Sequence, residues 1–290
     1  MKKIIDANFF SDSQLNTYLK SSKHNKVVFC DYASMEAYKG NALKNIKKSI
    51  EIVSKYPNQV IVLKGTRDIV KLTLSCKNAR KFIDKKQTHD FKEFCNEVKL
   101  ATQGNKTLEK RIIYLSKEAS KHFDNIEKES DKIILGIQEI GKSFDPKHLT
   151  FLKNKGEYSN EFSLEIKTKI IKDILTMAIY HFQNHPDVDK IPDFTKVSDS
   201  YILRYSICSY LLALWWISVG GPPKEIKSKK IRNDVIDMNY ITYATYFDGL
   251  LTKDEKMIQI YNDTCLILKN IFYSENLFSK LFNFLNFKSN

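Results

Sequence analysis

The sequence predicts an α/β fold: a small parallel sheet carrying a large helical insertion. Three observations lead there. KKIIDAN, KVVFCDY (26–32) and NQVIVLKG (58–65) are strand-like runs within the first 65 residues, and helical patterns separate them. Such alternation is how parallel strands are joined by right-handed crossovers. From about Thr66 to Lys230 no strand pattern appears and helical periodicity takes over. One more strand, in FDGLLTKDEK (247–256), then follows a helix and returns to the opening theme.

The elements follow in order. KKIIDAN is a short strand in which Asp6 ends the apolar pair Ile4 and Ile5. Ser11-Asp12-Ser13-Gln14 has capping-box spacing and opens a helix to about Lys20. KVVFCDY has the β-branched and aromatic composition of a strand. It runs into SMEAYKGNALKNIKKSIEIVSKY, which places Met35, Tyr38, Ala42, Ile46, Ile50 and Val53 on one side of a helix. YPNQ is a turn. The continuous apolar run of NQVIVLKG suits a parallel strand buried on both faces. Loops are expected near GKSFDPKHL, NKGEYSN and NHPDVDKIPDF, and no internal repeat is visible. ICSYLLALWWISVGG (207–221) reads as a buried helix ended by Gly220, Gly221, Pro222 and Pro223. IRNDVIDMNYITYATYF (231–247) is a helix, the final helix runs through MIQIYNDTCLILKNIFY, and NLFSKLFNFLNF (276–287) is amphipathic and rich in Phe. The chain is expected to form one domain over 1–290. Its α/β core comes from 1–66 and 230–270, its helical insertion from 67–229, and a C-terminal amphipathic helix from 271–290.

Composition narrows the function. An apolar fraction of 42% with 15 Tyr and 18 Phe excludes disorder for most of the chain. The formal net charge of +13 is the electrostatic footprint of a polyanion partner. Only five of the basic residues are Arg, so a lysine-rich coding bias supplies an alternative origin for that charge. The five cysteines, Cys30, Cys76, Cys95, Cys208 and Cys265, have no metal-type spacing, and their odd number argues against a disulfide framework. A reducing cytoplasm is the expected location. The basic start lacks the apolar core of a signal peptide. The most apolar run is shorter than the ~20 residues that span a bilayer, so no membrane is expected.

The carboxylates carry the chemistry. A carboxylate beside a buried strand is costly unless something compensates it, and open parallel sheets keep their functional groups at the strands' carboxyl ends. Asp6 ends the first strand. Glu36 lies in the first turn after the second. Asp234 and Asp237 are three apart on one helix and point the same way, and the N-terminus of that helix is expected to face the same edge, with Asp234 nearest and Asp237 one turn deeper. Asp254 follows the last strand, whereas Asp248 precedes it and should lie at the far edge. Acids gathered in one place repel one another unless a cation joins them. Mg²⁺ or Mn²⁺ suits an all-oxygen set, and the pieces suit metal-assisted phosphodiester hydrolysis. Each acid has a plainer explanation: Asp6 as a solvated terminal residue, Glu36 as a dipole-favoured helix acid, Asp234 as a helix start, and Asp254 as a cap within Thr252-Lys253-Asp254-Glu255.

Their joint order resembles the PIN-like nuclease domain over about residues 1–66 and 230–270. IIDANFF is similar to that family's opening strand with its first acid and nearby Asn. DYASMEAYKGN is similar to the second strand and the helix with the second acid. RNDVIDMNYITYATYFDGLLTKDE is similar to the closing block of an N-D helix, a strand and T-x-D. The resemblance implies a three-layer α/β/α fold and a divalent-metal-dependent endonuclease, with RNA the implied substrate and DNA the alternative. Asp6, Glu36, Asp234 and Asp254 are then catalytic metal-binding acids, Asp237 a further ligand, and Asn8 and Thr252 supporting polar groups. It also implies a toxin or antiviral-defence setting and a regulatory protein partner. The chain departs from the family pattern at Ala7, where a hydroxyl residue is usual, and in the length of its insertion.

Other motifs point elsewhere. HFQNH puts His181 and His185 on one helix face near Asp187 and Asp189, but the glutamate of a zinc H-E-x-x-H is missing and Pro186 ends the helix. Trp215 and Trp216 could stack on bases, but they sit in the most apolar run. LKGTRD lacks phosphate-loop spacing. A haloacid-dehalogenase-like phosphatase would want D-x-D where this chain has Asp6-Ala7-Asn8. A purely nucleic-acid-binding or partner-binding module gains nothing from clustered acids facing phosphates.

Overall fold

Short β-branched runs become strands here because both of their faces are covered. In the computed structural model, which describes residues 1–73, 79–153, 160–186, 188, 197–222 and 227–269, the strands are β1 (Lys2–Ile5), β2 (Lys26–Phe29), β3 (Val60–Val62) and β4 (Leu250–Leu251). They form one parallel sheet in the order β3-β2-β1-β4. Ile4 is in register with Val28 on one side and Leu250 on the other, and Val28 with Ile61. Ile4, Ile5, Val27 and Val28 are fully buried, as expected for parallel strands. A two-residue strand far away in sequence thus closes the sheet beside β1, where Asp6 N donates to the Leu251 carbonyl at 3.0 Å.

The crossovers differ from the sequence expectation at two points. Asp12, not Ser11, caps the first helix, α1 (Ser13–Ser21), accepting from Gln14 N at 2.7 Å. The continuous helical pattern after β2 is two helices, α2 (Asp31–Ala37) and α3 (Ala42–Ile50). Between them Gly40 takes a φ of +79°, and the Asn41 side chain accepts from Lys44 N at 3.1 Å. The glycine supplies the left-handed turn and the asparagine restarts the helix. Apolar periodicity continues in step across this turn and so conceals it. Strand β2 is also shorter than its apolar run, because Cys30 already stands at the cap of α2 and Asp31 and Tyr32 are helical.

The insertion is helical throughout its described residues, save for an antiparallel bridge from Ile83 to Leu63. Its helices are α4 (Thr66–Thr73), α5 (Lys85–Thr102), α6 (Lys106–Lys128), α7 (Ser130–Lys142), α8 (Pro146–Lys153), α9 (Asn160–Asn184) and α10 (Tyr201–Ser218). They precede α11 (Ser228–Ala244) and α12 (Glu255–Ile267). α5 and α6 pack on α3, while α7, α8 and α9 pack on α10, which itself lies against α11 and α12. One cluster of buried apolar side chains links these helices with the sheet. Helix α10 ends where the glycines predict, with φ of +99° at Gly220 and +88° at Gly221. Cys30, Cys95, Cys208 and Cys265 are free thiols. Among the described residues no helix is long and apolar enough to cross a membrane. Cys76, Asp187, Asp189, Pro223, the NKGEYSN loop up to Ser159 and the 271–290 tail lie outside the described residues.

Candidate functional site at the carboxyl edge of the sheet

Because all four strands are parallel, the residues that follow them gather at one edge. Helix α11 crosses it. Asp234, Asp237, Tyr240 and Tyr243 recur every three residues, so successive members are neighbours while the row winds about half-way round the helix. Along the helix they meet the strand ends in the sheet's own spatial order. Asp234 pairs with Lys256, beyond β4. Asp237 feels the charge of Asp6, at the end of β1. The Tyr240 hydroxyl donates to Glu36 Oε2 at 2.8 Å, on the helix after β2. The Tyr243 hydroxyl lies 2.7 Å from Thr66 Oγ1, after β3.

Asp6 is 2% exposed. Thr252 Oγ1 donates to its Oδ2 at 2.7 Å, and the Asn8 backbone and side-chain nitrogens reach its two oxygens at 3.4 Å. Burial pushes the Asp6 carboxyl up, these donors pull it part of the way back, and the Asp254 charge raises it further. Glu36 behaves alike: burial raises it, the Tyr240 hydroxyl lowers it, and the Asp6 charge raises it. Asp237 is pushed well above the usual carboxylate range, first by burial. Lys256 opposes this, and Asp6, Asp234 and Asp254 add to it. Asp254 caps α12, accepting from Met257 N at 3.0 Å, while its own N–H donates to Thr252 Oγ1 at 3.1 Å. Its capping and site positions are therefore compatible.

Asp234 differs from the other acids. It is 3% exposed, and both of its oxygens have partners: Trp216 Nε1 donates to Oδ2 at 3.0 Å, and the Lys256 ammonium contacts Oδ1. Lys256 also lies 3.5 Å from Asp237 Oδ2 and over the Trp215 ring, 5.6 Å from its centroid. Trp216 is thus a buried partner of an acid and not a base-stacking platform. Asp248 sits at the opposite edge, where its Oδ2 accepts from Lys2 N at 2.6 Å. His181 packs inward, with Nδ1 3.0 Å from Ser206 Oγ and its ring near Tyr205.

The orientation of α11 departs from the expected one. The sequence reading points the helix's N-terminus at the edge, with Asp234 nearest and Asp237 a turn deeper. The helix instead lies across the edge, so Asp237 couples to Asp6 while Asp234 is engaged with Trp216 and Lys256. Lys256, Tyr240, Tyr243 and Asp31 escaped the sequence reading. Asp31 follows β2 directly and accepts from Thr66 N at 2.8 Å, from Thr66 Oγ1 and from Tyr32 N. The D-x-x-Y spacing from Asp237 carried a signal for Tyr240, one turn on, and no local pattern marked Tyr243.

The donor chemistry can be compared with the expected divalent ion. Among the described residues no three His, Cys, Asp or Glu side chains converge as a compact metal-holding group. A closed cage of the kind that holds structural zinc is therefore absent from them. Mg²⁺ makes no such demand, since it keeps several waters and binds through one or two carboxylates. Among the described residues such an ion would draw on at most two of the edge's acids at once.

Tyr240→Phe removes the hydroxyl that Glu36 accepts. The expected result is a loss of about 1–2 kcal/mol in urea unfolding together with a rise in the Glu36 titration midpoint, followed by NMR. Unchanged stability and titration would show that the bond is inconsequential.

No family model, curated protein or solved structure matches the chain.

Proposed function

We propose that the protein is a divalent-metal-dependent nuclease of PIN-like type, cleaving phosphodiester bonds, with RNA as substrate. One observation carries the reading: at the carboxyl edge of a parallel sheet Thr252 links Asp6 to the backbone of Asp254, Tyr240 holds Glu36, and Lys256 stands 3.5 Å from Asp237. Buried acids gathered with specific partners at such an edge are candidates for a functional site. Of Asp6, Glu36, Asp237 and Asp254, one or two at a time would hold Mg²⁺ or Mn²⁺. The bound ion supplies an activated water and charge stabilisation at the phosphate. The chain's own residues do the rest. Thr252 and Asn8 orient the Asp6 carboxylate by donating to its oxygens, and Tyr240 fixes Glu36. Asp234 anchors Lys256 through a carboxylate that Trp216 holds in place. The net charge of +13 attracts the polyanionic substrate. The phosphatase alternative is weaker, because the residue two after Asp6 is Asn8, which donates an amide to that acid and brings no second carboxylate.

The test incubates the protein with labelled RNA and DNA, with Mg²⁺ or Mn²⁺ and with chelator. Cleavage of RNA that chelator abolishes is the expected outcome. Absence of metal-dependent cleavage of either polymer overturns the proposal. Substrate affinity should also fall by more than about tenfold between about 50 and about 200 mM salt, as for proteins that neutralise several phosphates. A flat salt dependence would mean that the lysine excess is compositional background.

A further inference from the structure

We infer that the protein carries a nucleotide site, distinct from the acidic edge, in which three lysines and an arginine take the phosphates and Phe247 takes the base. Two cavities share Arg80 and Ile83 as walls. The first, of about 620 Å³, is lined by Lys64, Arg80, Lys81 and Lys85, by the apolar Leu72 and Ile83, and by Asp84 as the acid among its described walls. That volume lies within the range of small-molecule sites. The second, of about 220 Å³, lies between Lys2 and the corner Tyr246-Phe247-Asp248. None of these walls is an acid of the carboxyl edge, and Asp248 lies at the opposite one.

The acids of both cavities are already engaged. Asp84 caps α5, its Oδ1 accepting from Gln87 N at 2.9 Å and its Oδ2 from Gln87 Nε2 at 3.0 Å, and Asp248 Oδ2 accepts from Lys2 N. Among the described residues no carboxylate pairs with Lys64, Lys81 or Lys85. A concave wall of one sign focuses its field and concentrates anions. A phosphate chain can meet several cations at once, and a guanidinium grips phosphate oxygens in pairs. The wall is also firmly held. Ile83 bridges Leu63, Lys64 N donates to the Phe82 carbonyl at 2.9 Å, and Asp84 N donates to the Val62 carbonyl at 2.9 Å. Phe82 is fully buried and fixes the turn Ala79–Phe82, which carries Arg80 and Lys81, edge-on to the Tyr246 ring at 5.0 Å. The Arg204 guanidinium lies 3.7 Å from that ring's centroid, so Tyr246 is a fixed wall. Phe247 beside it is half-buried and has no ring partner among the described residues. An aromatic face of this kind stacks on a base of any identity. Arg80, shared by both cavities, joins the cationic half to the aromatic one.

The experiment is isothermal titration of the full chain, with chelator present, by ATP, adenosine, inorganic triphosphate and a short single-stranded RNA. The proteins are wild type, the double variant Lys81→Glu with Lys85→Glu, Phe247→Leu, and a control, Lys110→Glu with Lys117→Glu. The control reverses two exposed lysines of α6 and so has the net charge of the first variant. Wild type should bind ATP and not adenosine. Lys81→Glu with Lys85→Glu should weaken that binding by at least about tenfold, as loss of charge-assisted contacts does. The control should change it by less than about twofold, because distant exposed charges are screened. Phe247→Leu should weaken ATP and leave inorganic triphosphate unchanged. Lys81 and Lys85 are exposed, so their variant keeps the fold, which circular dichroism verifies. If Phe247→Leu does not fold, tighter binding of ATP than of inorganic triphosphate by wild type reports the base contact instead. RNA binding more tightly than ATP, and weakened by the same double variant, assigns the nucleotide to a strand; the reverse order assigns it to a free nucleotide. Equal weakening by the double variant and the control, or no binding by wild type, overturns the site. Equal binding of ATP and inorganic triphosphate overturns its assignment to a nucleotide. Neither result bears on the nuclease reading, because binding is measured without metal and without cleavage.

Discussion

Asp6→Asn is expected to abolish metal-dependent cleavage, lowering it by at least about a hundredfold, the scale on which loss of a single preorganised polar group acts in active sites. The same change should leave the melting temperature of the metal-free protein unchanged or raise it. The sign follows from the position of Asp6. Burial raises its pKa in the folded chain, and Asp254 raises it further. A carboxylate with a raised folded pKa contributes stability that is complete below its unfolded value and is lost as pH climbs through the folded one. Below about pH 4, the ordinary carboxylate value, wild type and variant should melt alike. At neutral pH the amide, which carries no charge, should melt at the same temperature or higher. Thermal melts at both pH values, beside cleavage assays, check this. Full activity in the variant, or a melting temperature clearly below wild type at neutral pH, would show that Asp6 is structural.

Ile241→Ala should produce the largest loss of stability among changes that leave the acids untouched, about 2–5 kcal/mol. Ile241 is fully buried in α11, whose crossing of the sheet edge positions Asp237 and Tyr240. Truncation leaves a cavity beneath that helix, and the acids are displaced with it. Cleavage should therefore fall even at temperatures where the variant is folded. Ile258→Ala is the comparison: Ile258 is 43% exposed on α12, and its truncation should stay within about 0.5 kcal/mol, as surface changes do. Urea unfolding of both variants gives the answer. A loss below about 1 kcal/mol for Ile241→Ala would mean that the helix is not held to the edge by its buried face.

The sequence by itself determined the strand segments, their parallel arrangement and the edge on which the acids lie. Apolar runs of β-branched residues separated by helical patterns leave few other topologies, and a carboxylate that follows a parallel strand lands at the carboxyl edge whatever the rest of the chain does. Asp6 after β1, Asp254 after β4, and Asp248 at the opposite edge beside Lys2 followed from position in the chain alone. What only the tertiary structure decided was the path of α11. A helix's direction relative to a sheet is set by packing against α10 and α12 and is written in no local pattern. That path brings Asp237 within reach of the charge of Asp6, engages Asp234 with Trp216 and Lys256, and brings Tyr240 and Tyr243 onto Glu36 and Thr66. The break between α2 and α3 was hidden for a related reason: apolar spacing reports which face is buried, whereas Gly40 and Asn41 act through backbone conformation and capping, which leave that spacing intact. Lys256 is the sharpest case. In the sequence it is one lysine among many, and only the fold places its ammonium between the buried Asp234 and the half-buried Asp237, where removal from water makes a single charge matter.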